Sequence, residues 1–109
     1  MQFSLQDVTF AQWRELVPHR FQVRNGSETV ELELAEAVLS HADSPASATT
    51  GWESFSLFFL GPAQPSLPQG LYPMKSDRTG DFDLFIVPLG PAAGAMRYQA
   101  VFNRLVQPR

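Results

Sequence analysis

A chain of 109 residues is about the size of one domain, and two independent cores would each be too small to stand alone. Its 44% hydrophobic and 12% aromatic residues, nine of them Phe, supply a real core and exclude wholesale disorder. A net charge of −3, a lone Lys75 and scattered arginines (Arg14, Arg20, Arg24, Arg78, Arg97, Arg104, Arg109) give no cationic cluster to displace phosphate counterions, and the absence of Cys removes disulfides, thiolate chemistry, Fe–S clusters and Cys-based zinc sites.

The start, Met1 to Asp7, lacks the basic residues and long apolar run of a signal peptide, and no stretch is long enough to span a bilayer, so a cytoplasmic protein is expected. Thr9-Phe10-Ala11-Gln12 fits a capping box, and Val8 with Trp13 fits a hydrophobic staple. Phe10, Trp13 and Val17 share a face before Pro18 ends the run, which predicts a short amphipathic helix over 9–17. Too short to be stable alone, the helix must dock on an apolar surface.

The period then changes to two. Phe21 and Val23 alternate with Arg20, Gln22 and Arg24, and Asn25-Gly26 signals a hairpin into Val30, Leu32 and Leu34, which alternate with Glu31 and Glu33. The small polar stretch from Ser40 to Thr50 reads as a mobile loop. Between Trp52 and Leu60 both strand faces are apolar, with Phe55, Leu57 and Phe59 on one and Phe58 and Leu60 on the other. That pattern predicts a central strand or one covered by the helix. A Pro-rich connection runs from Gly61 to Gly70, a short strand from Leu71 to Met74, and a turn cluster from Ser76 to Gly80. Phe82, Leu84 and Ile86 alternate with Asp81, Asp83 and Phe85 up to Pro88; a Gly/Ala loop follows; Tyr98, Ala100 and Phe102 alternate with Arg97, Gln99 and Val101. The core is expected to hold Phe21, Val23, Leu32, Leu34, Phe55, Leu57, Phe59, Leu84, Ile86 and Phe102.

Constellations able to carry chemistry are few. His19 and His41 lack the spacing of a metal pair, no Gly-x-Ser-x-Gly elbow occurs, and Gly90-Pro91-Ala92-Ala93-Gly94 has no Lys for a phosphate loop. Asp77, Asp81 and Asp83 gather around one turn, where they favour the bend and keep a strand face wet. Glu31 and Glu33 read as a solvated strand face rather than a catalytic carboxylate pair. Pro62, Pro65 and Pro68 recur at polyproline spacing, so the connection is either a stiff linker or a docking ridge. Leu67 between them turns inward as a core cap, the favoured outcome, or outward as a grip for a partner.

Four segments, Phe55-Ser56-Leu57-Phe58-Phe59-Leu60-Gly61-Pro62, Leu67-Pro68-Gln69-Gly70-Leu71-Tyr72, Leu84-Phe85-Ile86-Val87-Pro88 and Met96-Arg97-Tyr98-Gln99-Ala100-Val101-Phe102-Asn103, together with Thr9-Phe10 and Phe21-x-Val23, span nearly the whole chain. In that order they resemble a bacterial domain-of-unknown-function family, number 6916. The resemblance carries no catalytic residues across. It implies companionship with phage-tail-collar-like proteins in bacterial genomes. Family members carry a His shortly after the Tyr matching Tyr72, where this chain has Ser76.

The expected fold is β-rich α+β, a small antiparallel β-barrel or strongly bent sheet of about six strands with one short N-terminal helix, residues 1–109 forming a single domain. The expected function is a non-enzymatic protein-interaction module linked to a phage-tail-like component, with Pro62, Pro65, Leu67 and Pro68 as candidate partner contacts. No catalytic residue, cofactor, metal, nucleic acid or membrane enters that reading. The alternative is a barrel whose Phe-rich interior binds an apolar small molecule. A filled core with an exposed apolar patch favours the first, a large enclosed cavity the second.

Overall fold

The computed structural model describes residues 10–42, 52–64 and 66–105. Among them are one helix, α1 (Phe10–Glu15), and six strands: β1 (Arg20–Asn25), β2 (Glu28–Ala42), β3 (Trp52–Pro62), β4 (Gly70–Ser76), β5 (Gly80–Ala92) and β6 (Ala95–Leu105). Every pairing is antiparallel, and the strands close into a barrel in the order β1-β2-β3-β6-β5-β4. Three hairpins resolve into two three-strand meanders, β1-β2-β3 and β4-β5-β6. These are joined along β3–β6 and, more briefly, along β1–β4 through Gln22↔Lys75 and Val23↔Met74.

Closing a sheet removes its edges, and a ring of six is narrow enough for side chains to fill. Phe21, Val23, Leu32, Leu34, Phe55, Leu57, Phe59, Leu84 and Ile86 are all buried, as their alternation requires. Phe102 is only partly buried, yet its ring stacks on Phe55 at 4.8 Å. Val30, Tyr72, Met74, Phe82, Tyr98 and Ala100 complete the interior. Phe21 meets Phe59 and Phe82 edge-on at 5.9 and 5.8 Å, the arrangement that ring quadrupoles favour.

Both ends of the ring are stoppered. The first residues of β1, β3 and β5 and the last of β6 surround α1: Trp13 contacts Phe21, Phe82 and Phe102, and Phe10 contacts Phe55. The helix is shorter than its pattern predicts. After Glu15 the bonds shorten to Leu16 N–H→Trp13 O, Val17 N–H→Arg14 O and His19 N–H→Leu16 O, a tightened last turn that tucks in Leu16, a buried residue the face of Phe10, Trp13 and Val17 did not include. The cap at Thr9 and staple at Val8 lie outside the described residues. At the opposite end, β3 and β4 occupy facing places in the ring, so the connector 63–69 must cross the opening.

Several boundaries differ from the sequence pattern, β4 reaching from Gly70 to Ser76 among them. β2 runs through Ser40, His41 and Ala42, where a loop was expected, and residues 43–51 lie outside the described ones. An irregularity in β2 between Leu34 and Glu36 shifts its phase, so Ala37, not Glu36, stands opposite the interior residue Leu57. β3 continues through Gly61 and Pro62, paired to Met96 and Ala95, and β5 continues past Pro88 to Ala92. A bulge at Leu89 and positive φ at Ala93 (52°) and Gly94 (82°) carry that last hairpin round.

Gly61 is required by close approach. A Cβ there would overlap the Leu32 Cδ2 methyl, which belongs to a fully buried side chain with little room to rotate. Gly61→Ala is expected to cost about 1–3 kcal/mol by urea unfolding; a cost under about 0.5 kcal/mol would show that Leu32 can step aside.

Candidate docking surface

β3 has two apolar faces, but α1 stoppers the end of the ring rather than covering the outside of this strand. Phe58 and Leu60 therefore stand on the outer wall, each half-buried by its neighbours. The same wall carries Val101 (60% exposed) on β6, Phe85 (48%) on β5 and Leu71 (63%) on β4. Leu71 is directly opposite Phe85, and Val101 is opposite Ser56, which is in turn opposite Val38 on β2. Outward apolar side chains thus stand on β2, β3, β6, β5 and β4.

One border of this surface is polar and ordered. The Arg97 guanidinium lies over the Phe58 ring at 4.5 Å and reaches Glu36 Oε1 at 3.5 Å, while Gln99 Nε2 donates to Ser56 Oγ at 3.1 Å. An apolar centre with a polar border is the anatomy of protein interfaces. The outward positions of Phe85 and Val101 were legible from alternation; the pairing of Phe85 with Leu71 and of β6 with β3 depends on strand order, which no local pattern encodes.

The proline connection divides. Pro62 closes β3 and is exposed, Pro68 is exposed, and Pro65 lies outside the described residues. Leu67 turns inward and is 1% exposed, so it caps the core and is not on the surface. Two phenols fix it. The Leu67 N–H donates to Tyr98 Oη at 2.7 Å, and Tyr72 Oη donates to the Pro68 carbonyl at 2.6 Å. Burial, and then the neighbouring Tyr98, push the Tyr72 pKa above its ordinary value of 10.0.

That shift has a sign. Folding keeps the Tyr72 phenol neutral where the unfolded chain has ionised it. Its contribution is complete below pH ~10 and is lost as pH rises through the raised folded value. Urea midpoints should fall on the alkaline side of pH ~10 in the wild type, and less steeply in Tyr72→Phe. Equal slopes would show that other groups govern the alkaline limb.

The polar candidates are spread over a different sector. His19 Nε2 accepts from Arg78 Nη1 at 3.2 Å, tying the entry of β1 to the β4–β5 turn. His41 is placed on β2. Ser76 organises the β4–β5 turn: its Oγ accepts from Thr79 N–H at 3.1 Å and shares a hydrogen bond with Thr79 Oγ1 at 2.9 Å. Asp77 and Asp81, with Arg20, Glu31 and Lys75, line an open crevice of about 740 Å³ beside the short β1–β4 seam. Asp83 lies in an adjoining hollow of about 530 Å³. Glu31 and Arg20 approach to 3.8 Å but are mostly solvated, so this pair contributes little. Among the described residues no three His, Asp or Glu side chains gather as metal ligands.

These features define a class: a small closed antiparallel barrel, filled by its own rings, stoppered at both ends and apolar over part of its outer wall. The family model for a domain of unknown function, DUF6916, matches residues 8–102, and the chain belongs to that family. No curated protein and no solved structure matches it. No helix among the described residues is long and apolar enough to cross a membrane.

Proposed function

We propose that this protein is a non-enzymatic, cytoplasmic interaction module that serves a phage-tail-like assembly and docks through the outer wall around Leu71, Phe85 and Val101. The single observation that supports the docking role is the exposure of these three large apolar side chains, 63%, 48% and 60%, over a core already filled from within. Leaving large apolar groups in water gains nothing for the monomer, and covering each stabilises by about 25 cal/mol per Å². The link to a tail-like assembly rests on the resemblance of sequence segments and on nothing in the barrel itself.

The rival, an apolar small molecule held inside, needs space that Trp13, Phe21, Phe55, Phe59 and Tyr98 occupy. Pro62 and Pro68 remain exposed at one end and could border the docking wall, but Leu67 does not join them.

Tagged wild-type protein purified from its native cell should retain a companion in stoichiometric amount. Val101→Lys with Leu71→Lys should lose it at unchanged melting temperature. A companion retained by the double variant would overturn the docking wall. A companion unrelated to tail components would overturn the assembly link alone.

A further inference from the structure

Of the seams that close the ring, the one between β1 and β4 is the shortest. Its register holds Gln22↔Lys75 and Val23↔Met74, although both strands are described from end to end. Hydrogen-bonded and non-bonded pairs alternate in an antiparallel ladder, so one of these two pairs carries the bonds. The next position in the same register sets Arg24 against Pro73, and the ladder does not include it. Proline has no N–H to give, and sheets confine it to edges and bulges. On its other side β4 meets no such stop: Pro73↔Asp83 lies within a register that runs from Gly70↔Ile86 to Ser76↔Gly80.

The side chains repeat this asymmetry. At the α1 end the seam is spanned twice. The Trp13 ring meets Phe21 on β1 and Phe82 on β5, and His19 Nε2 accepts from Arg78 Nη1 at 3.2 Å. At the Pro73 end lies a hollow of about 530 Å³, whose lining includes Arg24, Thr29, Pro73, Met74 and Phe82. Val23 and Met74, opposite each other at the last pair before that hollow, are 0% and 2% exposed. One short ladder therefore stands between water and this side of the core.

We infer that the β1–β4 seam is a gate. The β1–β2 hairpin lifts from β4 at Pro73 and brings Met74 into water, while the β3–β6 seam and the α1 end stay closed. A local opening costs only what it breaks, and here it breaks far less than unfolding does. The gate is independent of the docking wall, which lies on the outer faces of other strands.

Hydrogen peroxide, applied to the full chain below the urea midpoint, is the probe. It oxidises the Met74 thioether to the sulfoxide and is itself reduced to water. Half-buried Met96 on β6 is the internal reference. Peptide masses should show Met74 oxidising at least about tenfold faster than the globally unfolded fraction allows, at a rate that urea hardly changes. The seam amides, one of Gln22 and Val23 and one of Met74 and Lys75, should exchange about 100-fold faster than amides 57–59 and 98–100 of β3 and β6. Pro73→Val gives β4 an N–H and a residue suited to strands, and should slow both processes by about tenfold. Met74 oxidation and seam exchange that share the urea dependence of the β3–β6 amides would overturn the gate, because the ring would then open only by unfolding. Equal rates in Pro73→Val and wild type would overturn it too, by removing the feature that ends the ladder.

Discussion

Trp13→Ala is expected to destabilise the fold by roughly 3–5 kcal/mol, which for a domain of this size lowers the melting temperature by about 15–30 °C. The side chain is 0% exposed and lies against rings from three strands: Phe21 of β1, Phe82 of β5 and Phe102 of β6. Its removal leaves a cavity among those rings. A six-residue helix is unstable by itself, and α1 is held to the barrel by Trp13, Leu16 and the half-buried Phe10 and Val17. Trp13→Phe keeps a ring in place and should recover more than half of the loss. Urea unfolding measures both, and a cost under about 1 kcal/mol for the alanine variant would show that the helix is peripheral.

Much of this fold is legible in the chain because burial imposes a period that local chemistry also respects. Phe21 and Val23, Leu32 and Leu34, and Leu84 and Ile86 each alternate with polar residues, and each pair points into the barrel. The Asn25-Gly26 signal marks a real hairpin displaced by one residue. Asn25 pairs with Glu28, leaving Gly26-Ser27 as the loop, with φ of 64° at Gly26. Alternation fails where the backbone breaks its own rule. The irregularity after Leu34 puts Ala37 inside, a shift that no side chain on β2 announces.

The candidate surface was less legible, for a physical reason. Phe58 and Leu60 on a strand with two apolar faces imply a cover, but sequence does not say whether that cover is a helix of the same chain or something outside it. The helix took the end of the ring instead, because Trp13 and Phe10 match the rings of Phe21, Phe55, Phe82 and Phe102 there. Likewise Phe85 on β5 comes opposite Leu71 on β4, and Val101 on β6 opposite Ser56 on β3, only through strand order.

Leu67→Asp is expected to leave the barrel largely unfolded at ordinary temperature. The connector carrying Leu67 crosses an open end of the ring, and its side chain is 1% exposed beneath that crossing. A carboxylate there would lose water; an effective penalty of several kcal/mol, added to the roughly 2–5 kcal/mol of lost leucine packing, rivals the whole stability of a small domain. Rotating the connector outward does not escape the cost. That motion breaks the Leu67 N–H bond to Tyr98 Oη and the Tyr72 Oη bond to the Pro68 carbonyl, and opens the end of the ring over Tyr98. Leu67→Ala separates the two terms. It removes packing without adding charge, and should cost roughly 2–5 kcal/mol while the chain stays folded. Pro62→Ala and Pro68→Ala, at exposed positions on the same connection, should change the melting temperature little, so the loss is specific to the inward residue. Thermal melts followed by circular dichroism decide it. An unchanged melting temperature in Leu67→Asp would mean that the connector lies over a core able to close without it, and would return Leu67 to the surface as a position a partner can reach.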